Sequence, residues 1–263
     1  MRMKKQWIKW KLMVTTLPLV VALVVARYCL DNFYHFQGFL DFSDVGPVLT
    51  AAAVLIGYML SNTTSDYKES ERLPGEVAAS LETMEETYAW AAVTRSQLDV
   101  QGFRRRLAAL TDEIFAWLTG KKTSEGKFQS LQQFNQVVTE LERAGASNPA
   151  SRFLAELHAL RRVLTRMGVI ARTGFLASGY ALLDFLVVSV VILMLVASYK
   201  NPFAKYVILT SVPLTYLYML RLVRDIDNPF DYAADGKQKG AAEVELFPLH
   251  EYRQRLGRRI ENE

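Results

Sequence analysis

The side chains best suited to catalysis or metal binding are few and lie far apart in the sequence. The chain has three histidines, His35, His158 and His250, and a single cysteine, Cys29. A transition-metal site needs several such ligands together, often as pairs at short spacing. None of the four pairs with another histidine or cysteine at helical spacing, so we predict no metal site. We expect the lone cysteine to be a small apolar helix residue.

One short segment resembles part of a phosphate-binding loop. Residues 120–123 read Gly-Lys-Lys-Thr. A complete loop has a glycine five residues before this one and a Ser or Thr directly after the first lysine. Phe115 and Lys122 stand at those two positions. Because no nucleophile elbow or glycine-rich dinucleotide turn occurs either, we predict that the chain is not an enzyme and holds no cofactor.

One acidic residue, Asp184, lies inside a long apolar stretch. A carboxylate within lipid is costly and usually faces water or a partner. One interpretation gives it a role in a permeation path or gate. A second gives it a structural ion pair with Arg27 or Lys205, and a third places it near the membrane interface.

The elements around Asp184 are four stretches that are long and apolar enough to cross a membrane as helices, which takes about 20 residues. The second stretch has no charged residue, and the others contain or border isolated charges. Proline within three of them does not exclude helices, because membrane helices tolerate it. A cleaved signal peptide is the alternative for the first, which follows a basic segment. The predicted spans are residues 12–30, 45–65, 173–198 and 206–220.

The distribution of Lys and Arg predicts the orientation. Five basic residues precede residue 12 and eight follow residue 220, whereas the opposite side holds three, Arg27, Lys200 and Lys205. The loop from Asp31 to Asp44 adds three acids and several aromatic residues typical of an interface. We therefore expect a multi-pass protein of the cell (inner) membrane, in contact with lipid, with both termini in the cytoplasm. A net charge of +4 is too small to indicate nucleic acid.

Residues 66–172 read as a cytoplasmic helical domain, with a helix beginning near Pro74 and the last helix able to run unbroken into the third span. We interpret the run of residues 104–106, three arginines, and the acids Glu82, Glu85 and Glu86 as solvated surface; an anion-attracting vestibule or a lipid-headgroup contact is the alternative for the arginines. Apolar residues recur every three or four positions, as on a buried helix face. These stripes are 77, 81, 84 and 88; 103, 107, 110, 114 and 118; 128, 131, 134, 138 and 141; and 153, 157, 160, 164 and 167.

The order of these parts resembles that of the bestrophins and the bacterial bestrophin-like proteins. Residues 54–60, VLIGYML, resemble the family's VLGFYV stretch, and residues 65–74, SDYKESERLP, its RWWxQYExLP exit motif. The matching exit positions are Tyr67, Glu71 and Pro74, while Ser and Asp replace the family's Arg and first Trp. After the fourth span, IDNPF at 226–230 and ELFPL at 245–249 resemble its INPFG and DLPL segments. The IDNPF segment includes Asp227, Asn228, Pro229 and Phe230.

The resemblance implies a fold and a function. The fold is all-α and integral to the membrane, with four transmembrane helices and a helical cytoplasmic domain. Bestrophins are pentameric anion channels, so the family implies a homo-oligomer, a pentamer, that passes chloride or similar small anions. The family's hydrophobic neck would fall at Thr50, Val54 and Tyr58, which share one helix face, and Asp184 would point away from the pore. No calcium site is carried over, because the acids after Phe230 do not match the family's positions.

Two functions follow as hypotheses: this anion channel, or a non-conducting membrane scaffold or sensor whose cytoplasmic helices bind a protein partner. The predicted domains are residues 1–65, 66–172, 173–224 and 225–263, namely the first span pair, the cytoplasmic domain, the second span pair and a cytoplasmic tail.

Overall fold

A computed structural model describes residues 2–120, 124–173, 176–232, 240 and 242–262. The chain divides into two units. The membrane unit comprises Met1–Tyr67, Gly174–Asn228 and Gly240–Ala242, and the helical unit comprises Lys68–Thr173, Pro229–Lys239 and Glu243–Glu263. Each unit is built from three separate stretches of sequence, so chain order alone does not define either one.

In the described part of the membrane unit, four helices are long and apolar enough to span a bilayer. Each of the four predicted spans corresponds to one of them, which confirms the all-α membrane fold; the bounds differ, and the third span, predicted as 173–198, is a helix over Ala177–Val196. The second span is the beginning of a helix of 52 residues that continues into the helical unit. The helices are α1 (Arg2–Phe33), α2 (Phe42–Val93), α7 (Ala177–Val196) and α8 (Pro202–Ile226).

A two-residue parallel pairing closes one end of the membrane unit. Strand β1 (Leu40–Asp41) pairs with β2 (Ala197–Ser198) directly after α7. Gly38 permits this approach: its φ is +80°, and a Cβ there would lie 2.7 Å from the Ala197 carbonyl oxygen. Residues with a side chain rarely adopt this φ. The loop before α2 is therefore held against the end of α7 by main-chain contacts.

Among the described residues, the helical unit adds five helices to the distal part of α2. Four sequence predictions are wrong here. Pro74 begins no helix, since it lies inside α2, and α6 does not run into the third span, because it ends at Ile170 with the Thr173 hydroxyl bonded to the Val169 carbonyl. The added helices are α3 (Val100–Leu118), α4 (Ser124–Gln133), α5 (Asn135–Arg143), α6 (Ser147–Ile170) and α9 (Phe247–Glu261).

The third wrong prediction concerns the stripe that begins at Phe128. The chain turns at Phe134 between α4 and α5, so the two helices do not share one register. Phe128 is exposed and Val138 only half-buried, whereas Val137 is buried in its place. The other three stripes are buried throughout and form the core of this unit.

Aromatic rings occupy the centre of that core. Phe103 is fully buried and stacks on Tyr88 with 4.2 Å between ring centroids. The rings of Phe134 and Phe153 are steeply inclined to it in T-shaped pairs, with centroid distances of 6.3 and 5.7 Å. Phe103 of α3 therefore joins three other parts of the unit: α2 through Tyr88, the turn between α4 and α5 through Phe134, and α6 through Phe153.

A buried ion pair lies beside this core, where we predicted solvated surface. Glu85 is buried, and its Oε1 accepts a hydrogen bond of 3.0 Å from Arg104 Nε. Arg259 of α9 also approaches Glu85, at 3.3 Å. A buried carboxylate needs such partners because its desolvation is costly. Glu85 and Arg104 are therefore internal, whereas Arg105 is exposed as predicted.

Helix α9 is an integral part of the helical unit. Its Arg253 binds Asp112 of α3 through two bonds of 2.9 Å, and its Arg255 binds Glu82 of α2 at 2.9 Å. The Tyr252 hydroxyl donates to the Leu81 carbonyl at 3.3 Å. Burial and the nearby Glu85 charge raise the pKa of the Tyr252 phenol, so this buried side chain stays neutral.

We expect Phe103→Ala to destabilise the helical unit by about 3–5 kcal/mol, because it removes a fully buried ring and leaves a cavity. The measurement is the thermal unfolding midpoint of the purified full-length protein in detergent. Val93→Ala, which shortens an exposed side chain in the same unit, is the control. Equal shifts for both variants would contradict the role of Phe103 in the core.

Candidate functional site: the face of α2 and the charges of the membrane unit

The part of α2 in the membrane unit has two faces with different surroundings. One face packs against α7 and α8 through Val45, Ala52, Ile56 and Met59, which are all buried. The opposite face is uncovered in this single chain. It carries the three residues predicted for the neck: Thr50 is exposed, and Val54 and Tyr58 each expose 66% of their surface.

The polar group of Thr50 is satisfied within its own helix. Its hydroxyl donates to the Gly46 carbonyl at 3.0 Å. A hydroxyl bonded in this way has no proton left to donate to another molecule, although its oxygen can still accept. The face made by Thr50, Val54 and Tyr58 therefore presents mainly hydrocarbon, without a charged side chain.

A hydrogen bond from α8 fixes the rotation of α2. The Tyr216 hydroxyl, in a largely buried side chain, donates to the Leu49 carbonyl at 2.5 Å. This bond ties the back of α2 to α8 beside the apolar contacts. Leu49 is thus held on the side of α2 that faces the bundle. Thr50, Val54 and Tyr58 share one side of the helix because they are four residues apart, and that side is turned away from the bundle.

Asp184, the predicted intramembrane charge, forms an ion pair. Both of its carboxylate oxygens accept bonds from Arg224 Nη2 near the end of α8, at 2.5 and 2.7 Å. The Arg224 guanidinium also lies 5.7 Å from the centroid of the Tyr180 ring. The two charged side chains are 47% and 48% exposed in the single chain, so the pair lies at the surface of the bundle.

The partners considered from the sequence, Arg27 and Lys205, are engaged elsewhere. Asp31 accepts a bond of 3.0 Å from Arg27 Nε and one of 2.6 Å from Lys205 Nζ. Asp184 is in the second turn of α7, whereas Arg27 donates to the carbonyl of Leu195 near the end of the same helix. The prediction of those partners is wrong because they bind at the opposite end of α7.

The cluster of Arg27, Asp31 and Lys205 was missed by the sequence analysis. Arg27 is only 2% exposed, and its guanidinium also lies 5.2 Å from the centroid of the Phe36 ring. The available signal was the spacing of Arg27 and Asp31, which are one helical turn apart. Lys205 could not be added from sequence, because it lies on α8, far along the chain.

The exit-motif residues all lie within α2 rather than after it. Tyr67 and Glu71 continue the same helix, and Pro74 lies in its interior. Pro74 has no N–H to donate to the carbonyl four residues earlier. Within the helical unit, Arg166 of α6 binds the neighbouring Glu69 through two bonds of 2.7 Å. This segment of α2 is therefore held by an ion pair at Glu69, which lies within residues 65–74 but is not one of the three matching positions.

The IDNPF segment ends α8 and begins the next part of the chain. α8 stops at Ile226, and the Asp227 N–H bonds to the Val223 carbonyl at 3.0 Å. Asn228 is exposed, whereas Pro229 and Phe230 are buried. In the helical unit, the Pro229 carbonyl accepts a bond of 2.9 Å from the Val244 N–H. The motif thus terminates a helix and anchors the chain that follows.

No protein-family model matches the sequence, and no curated protein matches it. Solved structures do match across nearly the whole chain. A bacterial bestrophin homologue from Klebsiella pneumoniae is 16% identical, with a TM-score of 0.77 over 95% of this chain and 98% of that one. Two single-substitution variants described in the same way have TM-scores of 0.75 and 0.74 at 14% and 17% identity; they cover 96% and 94% of this chain and 98% and 96% of their own.

The chain has the bestrophin fold. The resemblance found in the sequence is confirmed at this level, and so is the expectation of a membrane protein with four spanning helices. The likeness extends over the membrane unit and the helical unit, although at most 17% of the residues are identical in the structures compared.

The histidines lie apart within this bestrophin fold. His35 is in the loop before β1, His158 is exposed on α6, and His250 stacks on Phe115 with 4.4 Å between ring centroids. Among the described residues, no group of three His, Cys, Asp or Glu side chains is placed to hold a metal ion. The segment at 121–123 that resembles a phosphate-binding loop lies outside the described residues.

We expect Asp184→Asn and Arg224→Gln each to lower the thermal midpoint of the purified protein, since each leaves one charge without its partner. The double variant should lose less than the sum of the two single losses, with a coupling free energy of roughly 0.5–3 kcal/mol. A double-mutant cycle on the detergent-solubilised protein measures this coupling. Additive losses would show that the ion pair contributes nothing of its own.

Proposed function

We propose that the chain forms a homo-oligomeric, pentameric channel that passes chloride or similar small anions across the cell (inner) membrane. Its neck is the face of α2 that carries Thr50, Val54 and Tyr58. Both termini and the helical unit lie in the cytoplasm, in keeping with the excess of Lys and Arg at the two ends of the chain.

The observation that carries this proposal is the uncovered face of α2. One side of this charge-free span is held by Tyr216 and by an apolar seam with α7 and α8, which leaves the opposite side for other copies of the chain. Small residues beside the neck positions, Ala51 and Ala53, permit close approach of equivalent helices. Copies of α2 arranged around an axis would then enclose a narrow passage.

The chemistry of the neck suits gating by dewetting. Val54 and Tyr58 present apolar or aromatic surface one helical turn apart, and the Thr50 hydroxyl donates its proton to Gly46 within the helix. A narrow passage lined by hydrocarbon empties of water unless it widens. The neck therefore acts as a barrier that widening removes, rather than as a binding site for the ion.

The charges of the membrane unit are compatible with anion passage. No charged residue occurs between positions 45 and 65. The carboxylate of Asp184 is compensated by Arg224, and that of Asp31 by Arg27 and Lys205. A compensated carboxylate repels an anion much less than a free one, since the field of the pair falls off faster with distance.

We expect Val54→Ala and Tyr58→Ala to raise anion flux several-fold in liposomes that contain the purified protein, because each removes part of the hydrophobic constriction. Val188→Ala is a matched control: Val188 is 55% exposed and lies on α7. It makes the same substitution outside the neck and should leave the flux unchanged. Equal flux from the neck variants and the unmodified protein would remove the neck assignment, and no flux under any ionic or pH condition would remove the channel.

We expect images of single particles of the detergent-solubilised protein to show a ring of five subunits with a central hole. A five-membered ring brings five copies of the α2 face to one axis, as the proposed neck requires. Five protomers of 29.8 kDa also define the particle mass to be found by light scattering. Monomers or dimers as the main species would contradict the proposal.

A second candidate function is a non-conducting scaffold or sensor whose helical unit binds a protein partner. Trp90 and Val93 favour it, because both are exposed near the end of α2 and lie three residues apart on one helix face. Tryptophan is among the residues most enriched at protein interfaces. The flux assay separates the two functions. The scaffold would be established by absent flux together with a purified partner that binds the full-length protein stoichiometrically. Trp90→Ala should abolish that binding.

A further inference from the structure

Helices α1 and α8 enclose a groove on the surface of the membrane unit. Its volume is about 440 Å³, within the range of roughly 300–1,000 Å³ typical of sites for small organic molecules. The groove follows α8 for about one and a half turns and meets α1 close to its basic beginning. Its lining residues are Trp10, Met13, Leu214, Thr215, Tyr218 and Met219.

The walls of the groove are suited to a hydrocarbon chain. Two of the lining residues are methionines, whose flexible side chains adapt to irregular apolar shapes. Thr215 is one of the lining residues, and its hydroxyl donates to the Ser211 carbonyl at 2.9 Å. This polar group is therefore satisfied within α8. Trp10 and Tyr218 supply the amphipathic rings that membrane proteins place at the level of lipid headgroups.

Lys11 and Arg221 lie near the end of the groove marked by Trp10. Five basic residues lie in the first eleven positions of the chain, and Lys11 directly follows Trp10. On α8, Arg221 is three residues beyond Tyr218 and therefore lies on the same side of the helix. Arg221 donates to the Thr16 hydroxyl of α1 at 3.1 Å, which keeps its guanidinium between the two helices.

We propose that this groove binds one acyl chain of an anionic phospholipid whose headgroup lies against the basic beginning of α1. The apolar walls hold the chain, and the positive charge of Lys11 and Arg221 selects a negatively charged headgroup. Anionic lipids are attracted by juxtamembrane basic residues in this way, with each one near the surface adding to the attraction. This inference concerns the lipid-facing helices and holds whether or not the protein conducts ions.

The experiment uses the full-length protein in phosphatidylcholine vesicles that contain a minor, fixed fraction of phosphatidylglycerol. Bromine is placed on the acyl chains of one lipid or of the other, and bromine quenches tryptophan fluorescence at short range. The signal of Trp10 is the difference between the protein and its Trp10→Phe variant. We expect brominated phosphatidylglycerol to quench Trp10 by more than its share of the lipid, and unbrominated phosphatidylglycerol added as competitor to reverse the excess.

Two variants and one control test the groove itself. Lys11→Gln should lower the preference for phosphatidylglycerol about fivefold, the factor that corresponds to the loss of one basic residue near the surface. Thr215→Phe should abolish the excess by filling the groove. Val188→Phe inserts the same side chain at an exposed position of α7 and should preserve it.

Three results would overturn the inference. Quenching of Trp10 that follows the bulk lipid composition would show ordinary solvation by the bilayer. An unchanged preference in Lys11→Gln would remove the charge selection, and equal behaviour of Thr215→Phe and Val188→Phe would remove the groove. Because none of these measurements depends on ion flux, their failure is distinguishable from failure of the proposed channel.

Discussion

A helix that crosses lipid satisfies its main chain internally, so its side chains alone decide what it contacts. In this chain α2 divides those contacts between two faces, and the remaining organisation depends on that division. Val45, Ala52, Ile56 and Met59 bind α2 to its own bundle, while the Tyr216 hydroxyl fixes its rotation through the Leu49 carbonyl. The opposite, charge-free face is thereby offered to other molecules. A rotation of about 100°, one residue along the helix, would exchange parts of the two surfaces.

The charges of the membrane unit follow from the same cost of burying an ion. Arg27 and Lys205 enclose Asp31 near one end of α7, and Arg224 binds Asp184 near the other. Each carboxylate therefore has a partner from another helix or another turn, which offsets its desolvation. These pairs also join helices that are distant in sequence, so they contribute to the arrangement of the bundle as well as to the neutrality of its surface.

Sequence reasoning was most successful where one physical term dominates. Lipid requires long apolar stretches, and the charge-free character of residues 45–65 identified the start of α2 without any tertiary information. It failed where a decision depends on three-dimensional neighbours. Glu85 reads as one acid among several on a helix, yet Arg104 and Arg259 enclose it. Pro74 reads as a helix start, yet α2 continues through it. The turn at Phe134 shifts the buried stripe from Val138 to Val137, a local change that periodicity cannot detect.

The likeness to bestrophin structures at identities near 16% indicates which features of the sequence matter for the fold. Identical motif residues contribute little to it: Ser65 and Asp66 replace the Arg and Trp of the exit motif, yet the helix passes through this region without a break. What persists is the order of apolar spans and of amphipathic helices with buried stripes. Such a pattern specifies a fold without specifying an activity. The case for a channel therefore rests on the surface of α2, where Thr50, Val54 and Tyr58 are open to contact with water or with a second copy of the chain.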